Sequence, residues 1–113
     1  MLAPTLRRTT GADPDFQALV PPLDAELAIR DGVEHAFFAA LNGSSTLAHA
    51  IVASLDGQAV GIGAFKVLTP ETVEIKRMFV LDAHRGRGIA GTVLAALEAW
   101  AAALGATHAQ LTW

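Results

Sequence analysis

The chain of 113 residues is long enough for one domain with its own core and too short for two. Hydrophobic residues make up 52% of it and charged residues 17%, a balance that excludes a disordered chain. The net charge of −3 argues against a general nucleic-acid binder, and the absence of cysteine excludes disulfides, thiolate metal sites and a cysteine nucleophile.

Short elements separated by turn residues are predicted for the first half of the chain. Residues 5–9 favour a short strand. Asp13 is placed to cap a helix that has Pro14 in its first turn. Pro21-Pro22 is expected to break or shift that helix, because proline lacks the N–H that a helix interior requires. Further short helical segments are predicted over residues 23–29 and 34–41.

The second half of the chain predicts three antiparallel strands, a long helix and a final strand. The strands are expected over residues 47–55, 58–68 and 72–81. Asp56-Gly57 is a typical two-residue hairpin turn between the first two of them. The helix is expected over 87–104, with Gly105 as its end signal, and the last strand over 107–113.

A helix that connects two strands of one sheet makes them parallel, so the last strand should run parallel to strand 72–81. The sequence therefore predicts a single domain, residues 1–113, of the α+β class. Its central sheet should be mixed but mostly antiparallel, with helices on its faces.

The longest apolar stretch, Ile89 to Ala106, favours a core-facing helix and not a membrane span. It contains Glu98, and its large residues recur every three or four positions. Residues 1–8 carry no apolar signal segment. The sequence therefore predicts a cytoplasmic protein with no membrane partner.

A basic island lies between Glu74 and Gly91, where four of the eight basic residues of an otherwise acidic chain are found. It coincides with the end of a strand and the start of a helix, where unpaired backbone N–H groups favour an anion. Gly86 and Gly88 would let a phosphate approach that backbone. In the alternative interpretation, Arg85 and Arg87 are merely solvated and Gly86 only shapes the turn.

Two phosphate-loop patterns overlap in this island. Residues 86–91 formally match G-x-G-x-x-G, the dinucleotide fingerprint. The preceding strand argues against that site because it carries Glu74, Lys76 and Arg77, where a buried apolar strand is needed. The acidic residue expected about 20 positions later is also absent. The second pattern is Arg85-x-x-Gly88-x-Ala90.

With this second pattern the chain resembles the GNAT-type N-acetyltransferase superfamily, whose pyrophosphate loop reads Q/R-x-x-G-x-G/A. The flanks are similar too: a strand that ends Lys76-Arg77-Met78-Phe79-Val80 precedes the loop, and an amphipathic helix from Val93 to Ala101 follows it. The resemblance is specific from about residue 47 onward.

The resemblance implies an acetyl-CoA-dependent enzyme that acetylates a primary amine, on a small molecule or a protein, by direct transfer. The pyrophosphate of acetyl-CoA would be held by backbone N–H groups of the loop residues Arg85, Gly86, Arg87, Gly88, Ile89, Ala90 and Gly91. The strand edge at Met78, Phe79 and Val80 would pair with the pantetheine arm, and one of its N–H groups would polarise the thioester carbonyl. Whichever of the Met78 and Phe79 side chains faces inward is expected to belong to the core.

Glu74 is the candidate general base, since one branch of the superfamily keeps a catalytic Glu eleven residues before the loop. An amine with a pKa near 10.4 is protonated at pH 7, and making it nucleophilic costs about 4.6 kcal/mol. A carboxylate can take that proton directly or through a water. In the alternative interpretation, Glu74 only pairs with Lys76, Arg77 or Arg85.

The four histidines share no metal-ligand spacing, and no metal site is predicted. His84 adjoins the loop and could touch a phosphate, although a solvated turn residue is the simpler interpretation.

The chain departs from the superfamily at its end. The superfamily normally continues past this last strand with a helix and a hairpin, so we expect the sequence to be a fragment, a shortened member, or a chain whose sheet a partner chain completes. It contains no tyrosine to protonate the leaving thiolate. The last strand would then present an open edge, which is compatible with a homodimer. This departure keeps a second interpretation open, a non-catalytic acyl-CoA-binding or interaction module.

Overall fold

The computed structural model describes residues 3–31 and 47–111. In this part of the chain five strands form one sheet, in the order in which they follow in sequence: β1 (Thr5–Thr9), β2 (His49–Leu55), β3 (Gln58–Thr69), β4 (Thr72–Val80) and β5 (His108–Leu111). Helix α1 (Pro14–Asp31) follows β1, and helix α2 (Ile89–Ala103) lies between β4 and β5. A 3-10 turn, Asp82–His84, leads from β4 towards α2.

The mixed sheet predicted from the sequence is confirmed. Strands β1 to β4 pair antiparallel with their neighbours, and β5 pairs parallel with β4. The turn between β2 and β3 has positive φ at both residues, 51° at Asp56 and 79° at Gly57. Such a turn matches the natural twist of a hairpin, and it sets the register of β2 on β3.

Each face of the sheet carries its own apolar cluster. On β2, Ile51 and Ala53 face the α2 side, whereas Ala50 and Val52 face the α1 side, as the alternation of a strand requires. Helix α2 buries one residue per turn on the first face: Ile89, Val93, Leu97 and Ala101. Within the described residues, no helix is both long and apolar enough to cross a membrane.

Helix α1 corrects one sequence prediction, because it runs unbroken through Pro21 and Pro22. Proline has a helical φ, but each one removes an N–H donor and its ring crowds the carbonyl four residues earlier, so α1 is locally destabilised there. Phe16, Leu19 and Leu23 are buried on the same side, in the cluster of the α1 face. This packing holds both halves of the helix on the sheet and outweighs the local preference. The helical segment predicted over 34–41 lies outside the described residues.

Asp13 caps the start of α1, as predicted, and also anchors β1. Its Oδ1 accepts the Asp15 N–H at 2.8 Å, and its Oδ2 accepts the Thr9 hydroxyl at 2.8 Å. The Arg7 guanidinium forms an ion pair with the same carboxylate. The hydrogen bonds from Arg7 in particular hold the pKa of Asp13 well below its usual range.

We expect Asp13→Ala to lower the free energy of unfolding by about 1–2 kcal/mol, the usual effect of losing an N-cap. Because the folded-state pKa is depressed, the charge-dependent part of this stabilisation is complete above the unfolded-state pKa of 3.8 and is lost as the pH falls through the folded-state value. Urea unfolding at neutral and acidic pH measures both effects. Asp13→Asn is the control, since Asn caps well but carries no charge. An acid-independent loss in Asp13→Ala would contradict the ionic contribution.

Gly63 lies at the point of closest approach between β3 and α2. A Cβ at this position would come within 2.6 Å of the Met78 sulfur, 2.8 Å of Leu97 Cδ1 and 2.8 Å of Val93 Cγ1. The absent side chain therefore lets Met78 lie between the sheet and the helix.

We expect Gly63→Ala to destabilise the protein by about 1–3 kcal/mol, because the added methyl group overpacks a filled core. Gly91→Ala is the matched control, since a Cβ there meets nothing within 4 Å and alanine favours a helix. Urea unfolding compares the two variants. Equal stability of both would show that Met78 can move aside without cost.

Candidate functional site

Strand β4 carries a β-bulge in its second half. The register pairs Ile62 with Phe79 but Ala64 with Lys76, so two residues of β4, Arg77 and Met78, face Gly63 alone. Arg77 adopts a left-handed φ of 59°, which costs roughly 1–2 kcal/mol for an L-residue. The bulge thus changes the direction of β4 immediately before Met78–Val80.

The Arg77 side chain points into the protein and is only 8% exposed. Its Nη1 donates to Asp24 Oδ1 of α1 at 2.7 Å. A partly buried Arg–carboxylate pair of this length is a strong charge-assisted hydrogen bond. It joins the middle of α1 to the bulge of β4.

A cleft of about 410 Å³ opens beside this segment of β4. Within the described residues β5 pairs with β4 only from Thr72 to Ile75, and Met78–Val80 lie beyond that pairing. The walls of the cleft are mainly apolar, with Glu26 and Arg85 as charged members, and they are formed by Leu23, Glu26, Met78, Phe79, Val80, Arg85, Ala90, Gly91, Leu94 and Leu111. An elongated, partly apolar ligand could lie along the free edge of β4.

The loop before α2 adjoins the cleft: Arg85 lines it, whereas Gly86, Arg87 and Gly88 are not among its wall residues. Gly86 and Gly88 have φ values of 79° and 78°, a conformation that glycine adopts without strain. Gly88 is the N-cap and has no side chain to satisfy the first amides of α2. A Cβ at Gly86, Gly88 or Gly91 would meet nothing within 4 Å. Within the described residues the first turn of α2 therefore lacks a side-chain cap and has room around its glycines, as an anion site does.

Arg85 is exposed at the surface and links the start of this loop to β4 and α1. Its Nε donates to the Val80 carbonyl at 2.9 Å, and its Nη2 pairs with Glu26 Oε2 of α1 at 2.5 Å. The guanidinium also lies 5.4 Å from the centre of the Phe79 ring. Arg85 is thus exposed, as in the solvated interpretation, and it also binds β4 and α1.

Arg87, two residues further on, is exposed and forms no ion pair within the part of the chain that the structure describes. It is the cation at the loop that remains available to an anionic ligand. The Ile89 side chain, by contrast, is not available to a ligand, since it is 3% exposed and belongs to the core. Ile89 could contact a ligand only through its backbone.

Glu74 lies on β4, opposite Lys66 of β3 and beside Gln110 of β5. Its Oε1 is 3.3 Å from Lys76 Nζ, which is one of the pairings considered from the sequence. It is not part of the cleft wall, and it precedes Met78 by roughly 12 Å of strand.

The structure brings most of the predicted site residues together, namely Met78, Phe79, Val80, Arg85, Ala90 and Gly91. The α1 contributions, Leu23 and Glu26, were not predicted, because no local pattern marks a helix residue that meets a distant strand. The left-handed Arg77 was missed for the same reason. The sequence predicts Leu94 only as part of a helix and Leu111 only as part of a strand, and neither as a member of the cleft wall.

His84 has a buried Nδ1 without a hydrogen-bond partner within the described residues, and the structure adds no ligand role for it. Among the same residues no group of three or more His, Asp or Glu side chains is arranged to hold a metal ion.

The comparisons with known proteins are consistent with this geometry. A profile of the acetyltransferase (GNAT) family matches residues 13–113. A proposed acyl-CoA N-acyltransferase from Klebsiella pneumoniae is 30% identical with a TM-score of 0.70, and the match covers 88% of this chain and 64% of that one. This chain therefore spans less than two thirds of that protein. A search of curated proteins found no match.

Two further solved structures share the fold. A ribosomal-protein-alanine N-acetyltransferase from Brucella melitensis is 23% identical with a TM-score of 0.69, and the match covers 98% of this chain and 80% of that one. A predicted acetyltransferase from Clostridium acetobutylicum, solved with acetyl-CoA, is 18% identical with a TM-score of 0.64, and covers 97% and 80%. At these identities the likeness concerns the fold alone.

Proposed function

This chain belongs to the GNAT acetyltransferase family, and from that premise we propose that it is an N-acetyltransferase. It would move the acetyl group of acetyl-CoA, the family's cosubstrate, to a primary amine on a small molecule or a protein. One feature supports this above the others: a single cleft joins the free edge of β4 to the uncapped start of α2.

The described residues fit acetyl-CoA in three respects. The amides from Gly86 to Gly91 and the exposed Arg87 suit a pyrophosphate. The edge at Met78–Val80 suits the pantetheine arm, whose amides can pair with a strand as an added strand does. Gly91 lines the cleft, and a Cβ there would meet nothing within 4 Å. The pantetheine arm of acetyl-CoA could therefore lie close to α2.

Acetyl-CoA supplies an activated acyl group, and the protein has to orient it and provide a free amine. A backbone N–H of the Met78–Val80 segment would stabilise negative charge on the thioester oxygen. Glu74 is the proposed general base. Because it lies roughly 12 Å along β4 from Met78, it would receive the amine proton through water. Transfer would be direct, with the amine attacking the thioester and the CoA thiolate leaving to solvent.

Calorimetric titration with acetyl-CoA, with NAD as the control ligand, tests the site. Release of the CoA thiol in the presence of a panel of amines then tests the reaction. Binding together with amine-dependent release would support the proposal. Binding without release for any amine would favour an acyl-CoA-binding module of the same fold. A folded protein that binds neither ligand would contradict the proposed site.

A further inference from the structure

The bulge of β4 is held by side chains that the sequence did not connect with the site. Arg77 keeps a left-handed φ of 59°, which only glycine adopts freely. A conformation of this kind persists only where its surroundings enforce it. Arg77 is the first residue of the bulge, a position where a left-handed φ occurs but where glycine is the usual residue.

Helix α1 supplies one contact that holds the Arg77 side chain. Asp24 Oδ1 accepts the Arg77 Nη1–H at 2.7 Å, and the Asp24 side chain is itself only 22% exposed. Leu23, the preceding residue, is 5% exposed and packs in the core cluster that contains Phe79. Asp24 is therefore attached to a rigidly packed part of α1.

A second pair from the same turn of α1 acts on the other end of the segment. Glu26 pairs with Arg85, and Arg85 in turn binds the Val80 carbonyl. The stretch from Arg77 to Arg85 thus contains the free edge of β4 and is tied to α1 at both ends.

We infer that Asp24 is a positioning residue for acetyl transfer: through Arg77 it fixes the bulge that directs the Met78–Val80 edge into the cleft. Asp24 does not line the cleft and acts only through Arg77 and the backbone. The inference rests on the proposed transferase function. The inference has one distinctive consequence. The Asp24 carboxylate should affect kcat when residue 77 is arginine, which is strained in the left-handed conformation, and should not affect it when residue 77 is glycine.

A double-mutant cycle tests this consequence. Asp24→Asn removes the charge of this side chain and keeps its shape. We expect kcat to fall about tenfold and the KM for acetyl-CoA to change less than about twofold. This pattern is the one expected when a reacting group is bound but misoriented. Arg77→Gly should retain most of the activity, because glycine adopts this φ unaided. In the Arg77→Gly background, Asp24→Asn should have no further effect on kcat.

Amide hydrogen exchange gives a readout that does not require turnover. Asp24→Asn should speed exchange at Met78 and Phe79 by about tenfold or more relative to β2, because the bulge is locally loosened. Arg77→Gly should not. Asp15→Asn is the matched control, since Asp15 is a carboxylate of α1 paired with Arg7 at 3.0 Å in the first turn of the helix. It should change neither readout.

The outcomes separate the two proposals. Parental kcat or parental exchange in Asp24→Asn would overturn the positioning role, as would an equal loss of kcat with and without Arg77→Gly. Failure of the parent protein to transfer acetyl groups would overturn the transferase function itself. The exchange experiment would then still report whether Asp24 fixes the bulge.

Discussion

Replacing Glu74 with Gln is expected to lower kcat by about 100- to 10,000-fold, the usual contribution of a general base. The amide keeps the size of the side chain but cannot accept the proton of an ammonium group. At pH 7 that proton costs about 4.6 kcal/mol to remove from an amine with a pKa near 10.4. Steady-state kinetics with acetyl-CoA and an active amine measures the loss.

The ion pair with Lys76 provides the control for this prediction. Lys76→Met breaks the same pair but leaves the carboxylate in place. If Glu74 is the base, Lys76→Met keeps substantial activity and Glu74→Gln does not. If both variants lose activity equally, the pair is structural. Acetyl-CoA affinity measured by calorimetry should remain near the parental value in both.

Gly91→Glu is expected to weaken acetyl-CoA binding at least about 100-fold, equivalent to about 2.7 kcal/mol. The new side chain would project into the cleft and place a carboxylate where the pyrophosphate is proposed to lie. The fold should tolerate it, since a Cβ at Gly91 meets nothing within 4 Å and an acidic residue suits the first turn of a helix. Calorimetry and thermal unfolding of the same samples separate the two effects.

Ala99→Glu is the matched control for this loss of affinity. Ala99 is exposed on α2, about two turns beyond Gly91, and does not line the cleft. The Ala99→Glu substitution adds the same charge to the same helix as Gly91→Glu does. Equal loss of binding in both variants would point to general repulsion, and unchanged binding in Gly91→Glu would place the ligand elsewhere.

The loop before α2 could be located from the sequence because its requirements are local. An Asp-Gly pair or a run of glycines encodes a backbone conformation in a few adjacent residues. This is why the hairpin turn at Asp56-Gly57 agrees with the sequence analysis. The structure adds that Gly86 and Gly88, which were expected only to leave room for a phosphate, both adopt positive φ. Apolar runs bounded by turn residues likewise predicted β2 to β4, and a helical periodicity of large apolar residues predicted α2.

What the sequence did not reveal depends on distant parts of the chain. The continuity of α1 through Pro21 and Pro22 follows from its packing on the sheet, which outweighs the local tendency to break. The left-handed Arg77 binds Asp24, which is 53 positions away, and its conformation is proposed above to rest on that contact. No sequence pattern distinguishes an arginine that needs this support from one that does not.

The order of the sheet also has a consequence for how the protein folds. Strands β2, β3 and β4 are joined by turns of two residues, so their pairing closes short loops at little entropic cost. In contrast, β1 pairs with a strand far away in sequence, since Thr5 lies opposite Ser54. Strand β5 can pair with β4 only after the connection through α2 has formed. We therefore expect the three-stranded meander to form the folding nucleus, with high φ-values there and low ones at β1 and β5. The phosphate loop, which lies between β4 and α2, would then take its shape late in folding, after the strand that leads into it.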